Sequence, residues 1–153
     1  MSDFEWEKHY EEYVKRMNEK FPHIFGDRPY GGFCIGQGWY QIVESLCANI
    51  QSHIDWKNGS RERLLKDNPY DHEIPDEVTQ VVAVQIKEKF GGLRFYYKGG
   101  DDEISGMVRM AESWAQNTCE KCGKPGTLRH GGWIQTLCDE HEAERQKRMN
   151  DDD

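Results

Sequence analysis

The apolar positions fall into runs whose period changes along the chain. From 3 to 21, Trp6, Tyr10, Tyr13, Val14, Met17 and Phe21 recur at three- and four-residue spacing, which predicts a helix with one buried face. Ser2 and Glu5 fit a capping box at its start, and Pro22 ends the pattern. The clearest helix covers 38–56, where Trp39, Ile42, Val43, Leu46, Cys47, Ile50 and Ile54 make a continuous stripe; its length places it at the centre of the core. A third helix covers 101–117, capped by Asp101 or Asp102 and striped by Ile104, Met107, Val108, Ala111 and Trp114. Between the last two, two β-rich runs at 80–90 and 93–98 flank Gly91-Gly92, which predicts a hairpin.

Strand alternation sorts the hairpin into two faces. Ile86, Phe90, Leu93, Phe95 and Tyr97 point one way. Gln85, Lys87, Lys89, Arg94, Tyr96 and Lys98 point the other and make a cationic face with an aromatic in it. That face is either a solvated strand surface or a contact for phosphate or an acidic partner.

The connecting stretches are polar or glycine-rich. Residues 22–37 hold Gly26, Pro29, Gly31, Gly32 and Gly36 among aromatics. No Lys-Ser/Thr follows and no strand precedes them, so they are not a phosphate loop. Phe25, Tyr30 and Phe33 remain as candidates for partner contact, since ordered loops carry binding residues. Residues 57–79 carry turn signals and a short helix over 61–66 capped by Ser60. His53 sits at the edge of the central stripe. His72 and Glu73 lie in turns without a third catalytic partner.

The chain has 153 residues and a formal net charge of −8, with 36% hydrophobic and 31% charged residues. An acidic chain gains no nucleic-acid affinity from its overall field, which makes the local cationic face stand out. No run is long and apolar enough to span a membrane, and the acidic start lacks the apolar region of a signal peptide. The cytoplasm is the expected setting. Disulfides are not expected there, and Cys47, on the central stripe, reads as a buried free thiol.

The strongest chemical signal is Cys119-x-x-Cys122-Gly123 followed by Cys138-x-x-His141, two ligand pairs separated by residues 123–137. Thiolates and an imidazole at this spacing predict one tetrahedral Cys₃His zinc site. Cys138 and His141 are three apart at the start of a charged helical stretch, so both can face one ion. His130 competes with His141 for the fourth place. Four protein ligands close the site, so the Zn²⁺ is read as structural. A deaminase would need His-x-Glu ahead of Pro-Cys-x-x-Cys, and neither is present.

Knuckle, short hairpin and ligand-bearing helix over 119–148 resemble a treble-clef zinc finger. The runs Ile86-Lys87-Glu88-Lys89-Phe90-Gly91-Gly92-Leu93-Arg94-Phe95-Tyr96, Cys119-x-x-Cys122-Gly123-x-x-Gly126 and Leu137-Cys138-Asp139-Glu140-His141 resemble a family of small proteins of tailed phages and prophages. That resemblance implies a phage setting, inside an infected or lysogenic bacterium, and a metal site. The expected fold is α+β: helices on a small antiparallel sheet over 1–117, a treble-clef-like zinc unit over 118–149 and an acidic tail at 150–153. The expected function is a protein-interaction module that inhibits or modulates a bacterial host or defence protein. Its contact residues would be Lys87, Lys89, Arg94, Tyr96, Lys98, Tyr30, Phe33 and Trp133. The alternatives are nucleic-acid binding, adding Lys121, Lys124, Arg129 and His130, and an enzyme whose residues meet only in the fold.

Overall fold

The computed structural model describes residues 2–26, 30, 32–70 and 73–152; Pro29, Gly31, His72 and Asp153, which figure in the sequence reading, lie outside the described residues. The fold is α+β. Helix α1, Asp3–Lys20, opens on the Ser2–Glu5 capping box and buries Tyr13 and Met17. Trp6 leaves the stripe, exposed and stacked on Tyr10. Pro22 does not begin a loop. It stands at the first position of a one-turn helix α2, Pro22–Phe25, where its missing amide is no loss, and Ile24 and Phe25 enter the core.

A two-residue strand β1, Phe33–Cys34, precedes a 3₁₀ turn at Gln37–Trp39 and helix α3, Tyr40–Asp67. Helix α3 is the spine of the fold, burying Ile42, Val43, Leu46, Cys47, Ile50 and Ile54. It does not stop at 56, and no separate helix starts at Ser60. Asn58-Gly59 lies inside it because the Asn58 side chain grips the 73–81 segment, accepting from the Val78 amide (2.8 Å) and donating to its carbonyl (3.0 Å). The helical glycine costs about 1 kcal/mol, which those two bonds offset.

Strands β2, Val82–Lys89, and β3, Gly92–Lys98, form the hairpin, and β1 adds to β2 in parallel, giving a sheet of order β1-β2-β3. The turn residues are Phe90 and Gly91 rather than Gly91 and Gly92, and Lys89 pairs with Gly92. Both take positive φ, 53° and 79°, as a two-residue hairpin turn requires. The shift swings Phe90 off the inward face into solvent, where it is 71% exposed. Ile86, Leu93 and Phe95 face the core, and a register break between Ala83 and Gln85 interrupts the alternation.

Helix α4, Asp102–Ala115, is capped by Asp101 and packs against α3 and β3. It buries Ile104, Val108, Ala111 and Ala115, and the expected Trp114 is half exposed. The C-terminal elements are a small hairpin, β4 (Thr127–Arg129) with β5 (Gln135–Leu137), and helix α5, Asp139–Asp151. Helix α5 runs into the expected tail, with the Asp152 amide closing its last turn on the Arg148 carbonyl. No helix among the described residues is long and apolar enough to cross a membrane.

Candidate metal centre

Cys119, Cys122, Cys138 and His141 converge, with their ligand atoms all within 4.8 Å of one another. The first two come from a turn after α4. There the Cys119 amide donates to the Lys124 carbonyl (2.7 Å), and the Gly123 amide closes onto the Cys119 carbonyl (2.9 Å) at a positive φ of 80°. Cys138 is the N-cap of α5, its sulfur accepting from the His141 amide (3.5 Å). His141 follows one turn on and points Nδ1 at the sulfurs of Cys138 (3.2 Å) and Cys119 (3.5 Å). The Cys122 and Cys138 sulfurs are 3.8 Å apart. His130 stands outside the cluster.

A tetrahedron of sulfurs about 2.3 Å from zinc has edges of roughly 3.8 Å, so the donor spacing fits one tetrahedral ion. The electrostatics point the same way. Burial raises the Cys119 thiol, but amides aimed at its sulfur outweigh that and hold it below the ordinary thiol value. Cys122 is pushed up to about 11, first by burial and then by the neighbouring sulfurs. Crowded thiolates repel, and a divalent cation removes that repulsion. The outward Nε2 of His141 faces the Glu144 carboxylate at 3.9 Å, the usual orienting partner of a metal-bound imidazole.

The knuckle does not hang from α4 alone. The Gly38 amide donates to the Glu120 carbonyl (2.7 Å), the Gly36 amide to the Glu120 carboxylate (3.0 Å), and the Trp39 indole to the Thr118 carbonyl (2.8 Å). A Cβ at Gly38 would overlap the Cys119 carbonyl. Burial pushes the Glu120 carboxyl up, and the bond from Gly36 only partly opposes it. On the other side the Thr136 hydroxyl donates to the Gly91 carbonyl (2.6 Å), tying β5 to the tip of the β2–β3 hairpin. The metal centre thus lies between the start of α3 and that tip.

Arg145 fixes the loop between β4 and β5. It is 7% exposed, paired with Glu142 (2.8 Å), and donates to the carbonyls of Trp133 (2.6 Å) and His130 (3.1 Å). Trp133 itself is 73% exposed. Arg129 is engaged with Asp139 at 2.7 Å and is not a free cation. Sequence reasoning passed over Glu120, Thr136 and Arg145; the Glu142–Arg145 spacing of three on a helix was the available signal for the last.

The other expected contact residues divide. Phe33 is 3% exposed, packed between Tyr13 and Phe25, because β1 carries it into the core. Phe25 is buried too. Tyr30 is half-buried; its hydroxyl accepts from the Ile86 amide (3.1 Å), and Asn18 holds its backbone on both sides. These three rings build the core around β1 rather than an outer surface. Lys87, Lys89, Arg94, Tyr96 and Lys98 stay on the outer side of the hairpin. Lys87 lies directly across from Arg94, and its ammonium is 5.7 Å from the Tyr96 ring. Among the described residues none of these four cations has a carboxylate partner.

His53 does meet carboxylates, Asp101 at 2.8 Å and Glu103 at 3.3 Å. Asp101 spends its other oxygen capping α4 at the Ile104 amide (3.0 Å). Burial opposes the charge on Asp101, but the bonds from His53 and Ile104 hold its carboxyl below the ordinary value. The cluster joins α3 to the start of α4.

Comparison with known proteins finds no matching family model, no matching curated protein and no matching solved structure.

Proposed function

We propose that this chain is a zinc-binding interaction module, in which the metal is structural and the outer face of the β2–β3 hairpin takes an anionic partner. Zinc is supported by the donor set: three sulfurs and one imidazole at tetrahedral spacing suit it, and oxygen-seeking cations are disfavoured. With four protein ligands the ion has no open position for water or substrate, so its work is to hold the knuckle, β4–β5 and α5 in the manner of a treble clef.

The observation that carries the binding role is the Lys87–Arg94 cross-strand pair. Like charges directly opposite each other on a sheet are destabilising. Among the described residues no carboxylate pairs with either, in a chain whose net charge is −8. An anionic partner supplies the missing counter-charge. The phage resemblance makes that partner an acidic surface of a bacterial host or defence protein in the host cytoplasm, modulated by being covered. Nucleic acid is the second reading, favoured by the aromatics among the cations.

Two measurements test the proposal. Metal analysis of the purified protein should return about one zinc per chain, and none would sink the zinc assignment. Lys87→Glu should weaken capture of a polyanion such as heparin at low salt; undiminished capture would remove the hairpin face from the reading.

A further inference from the structure

We propose that the tip of the β2–β3 hairpin is a single-stranded nucleic-acid site, with Phe90 as the ring on which bases stack and Lys89 and Arg94 as the phosphate-facing cations beside it. This rests on the reading of the hairpin face as an anion-binding surface and, for the tip, takes the second of the two partners named there, nucleic acid, over the acidic protein.

Phe90 sits where a bulky side chain is disfavoured. Its φ of 53° is the one positive value at a non-glycine residue among those described, and its ring gains no burial in return. The turn that carries it is held from both sides. The Gly91 amide donates to the Glu88 carboxylate (2.8 Å), and the Gly91 carbonyl accepts from Thr136 (2.6 Å). The ring therefore projects from a fixed post.

Two clefts share Phe90 in their walls. One, of about 350 Å³, runs from Phe90 past Lys89 and Glu88 to Trp133 and Ile134, with the Glu88 carboxylate engaged by the Gly91 amide. The other, of about 320 Å³, runs from Phe90 past Arg94 to Asn117 and Leu128. Each has the volume of a small-ligand cleft and its own cation. Trp133 supplies a second exposed ring at the far wall of the first, anchored through its carbonyl by Arg145. Exposed rings alternating with cations are what a single strand needs, since its bases stack while its phosphates are neutralised.

The competing ligands fit less of this. An acidic peptide would use the cations and leave the strained, solvent-exposed ring unexplained. A duplex keeps its bases paired inside the helix and offers no free face to Phe90. Stacking is tolerant of base identity, so weak sequence preference is expected.

The test is fluorescence anisotropy with labelled dT12, rU12, a 12-bp duplex and poly-L-glutamate, on the zinc-loaded full chain. Phe90→Asn is the decisive variant. Asparagine tolerates positive φ and creates the favoured Asn-Gly turn, so this protein folds at least as well as the parent. It should bind dT12 and rU12 roughly tenfold or more weakly, with poly-L-glutamate unchanged. Trp133→Ala should weaken the single strands in the same direction, and Lys87→Glu should weaken every probe. Unchanged dT12 and rU12 binding by Phe90→Asn overturns the inference. Capture of poly-L-glutamate without the single strands, or duplex bound as well as they are, also overturns it while leaving an anion-binding face. If no probe binds, or Lys87→Glu has no effect, the underlying reading falls with it.

Discussion

The indole nitrogen of Trp39 donates to the carbonyl of Thr118 at 2.8 Å, and Thr118 is the residue before the first metal ligand. Trp39 is fully buried at the start of the central helix. The hydrophobic core and the candidate metal centre therefore share one hydrogen-bonded frame, completed by Gly36, Gly38 and Glu120.

Metal removal should consequently be felt in the core. Excess chelator, or Cys138→Ala, is expected to release the knuckle and free the Trp39 indole proton. Hydrogen exchange at that indole should accelerate strongly, together with the amides of 118–141. Exchange unchanged at Trp39 would separate the two units.

Gly38→Ala should damage the same joint without touching a ligand. Its methyl group would overlap the Cys119 carbonyl, which is backbone and cannot swing aside. Overpacking of this kind costs typically 1–3 kcal/mol, and the upper end is expected here. Thermal melting and the rate of zinc loss to a colorimetric chelator should both report it.

Asn58→Ala should cost about 2 kcal/mol, because it leaves both backbone groups of the buried Val78 without their partner. Alanine is the better helix former, so a stabilised variant in urea unfolding would contradict the clamp.

Glu44 bridges α1 and α3, accepting from Lys20 (2.8 Å) and Arg16 (3.2 Å). Burial opposes its charge, but those two bonds outweigh it and hold the carboxyl below its ordinary value of 4.5. A depressed folded pKa gives stability that is complete above the unfolded value and is lost as pH falls through the folded one. Glu44→Gln should therefore be less stable at pH 7, by about 1 kcal/mol or less since both cations are half exposed. The gap should begin to narrow as pH falls below 4.5 and close once the folded carboxyl is protonated as well. A gap that does not narrow with acid would mean the bridge acts through packing alone.

What the sequence made legible depended on where the signal is stored. The four metal donors announce themselves because thiol and imidazole chemistry needs those side chains at that spacing. The surface on which the knuckle docks does not, since it is made of backbone amides at Gly36 and Gly38, and a glycine carries no sign of what its amide will meet. Helix periodicity located α1, α3 and α4, yet Asn58-Gly59 read as a break because its tertiary partner, Val78, lies twenty residues on. The hairpin was visible, but Gly91-Gly92 and Phe90-Gly91 are both compatible with a two-residue turn. Only the pairing of Lys89 with Gly92 selects the second, and with it the exposure of Phe90. Tyr30 and Phe33 resemble exposed loop aromatics until a strand of two residues, too short for alternation to register, seats one in the core and the other beside it.

The Trp39–Thr118 bond spans 79 positions of sequence. On a ribosome, helices α1 and α3 emerge long before the knuckle that satisfies Gly36, Gly38 and Trp39. The nascent N-terminal part must wait with an open seam, and loop closure over that distance comes late. The seam at Gly36, Gly38 and Trp39 can therefore close only once residues 118–120 have been made, so the opening of the central helix is finished from the far end of the chain.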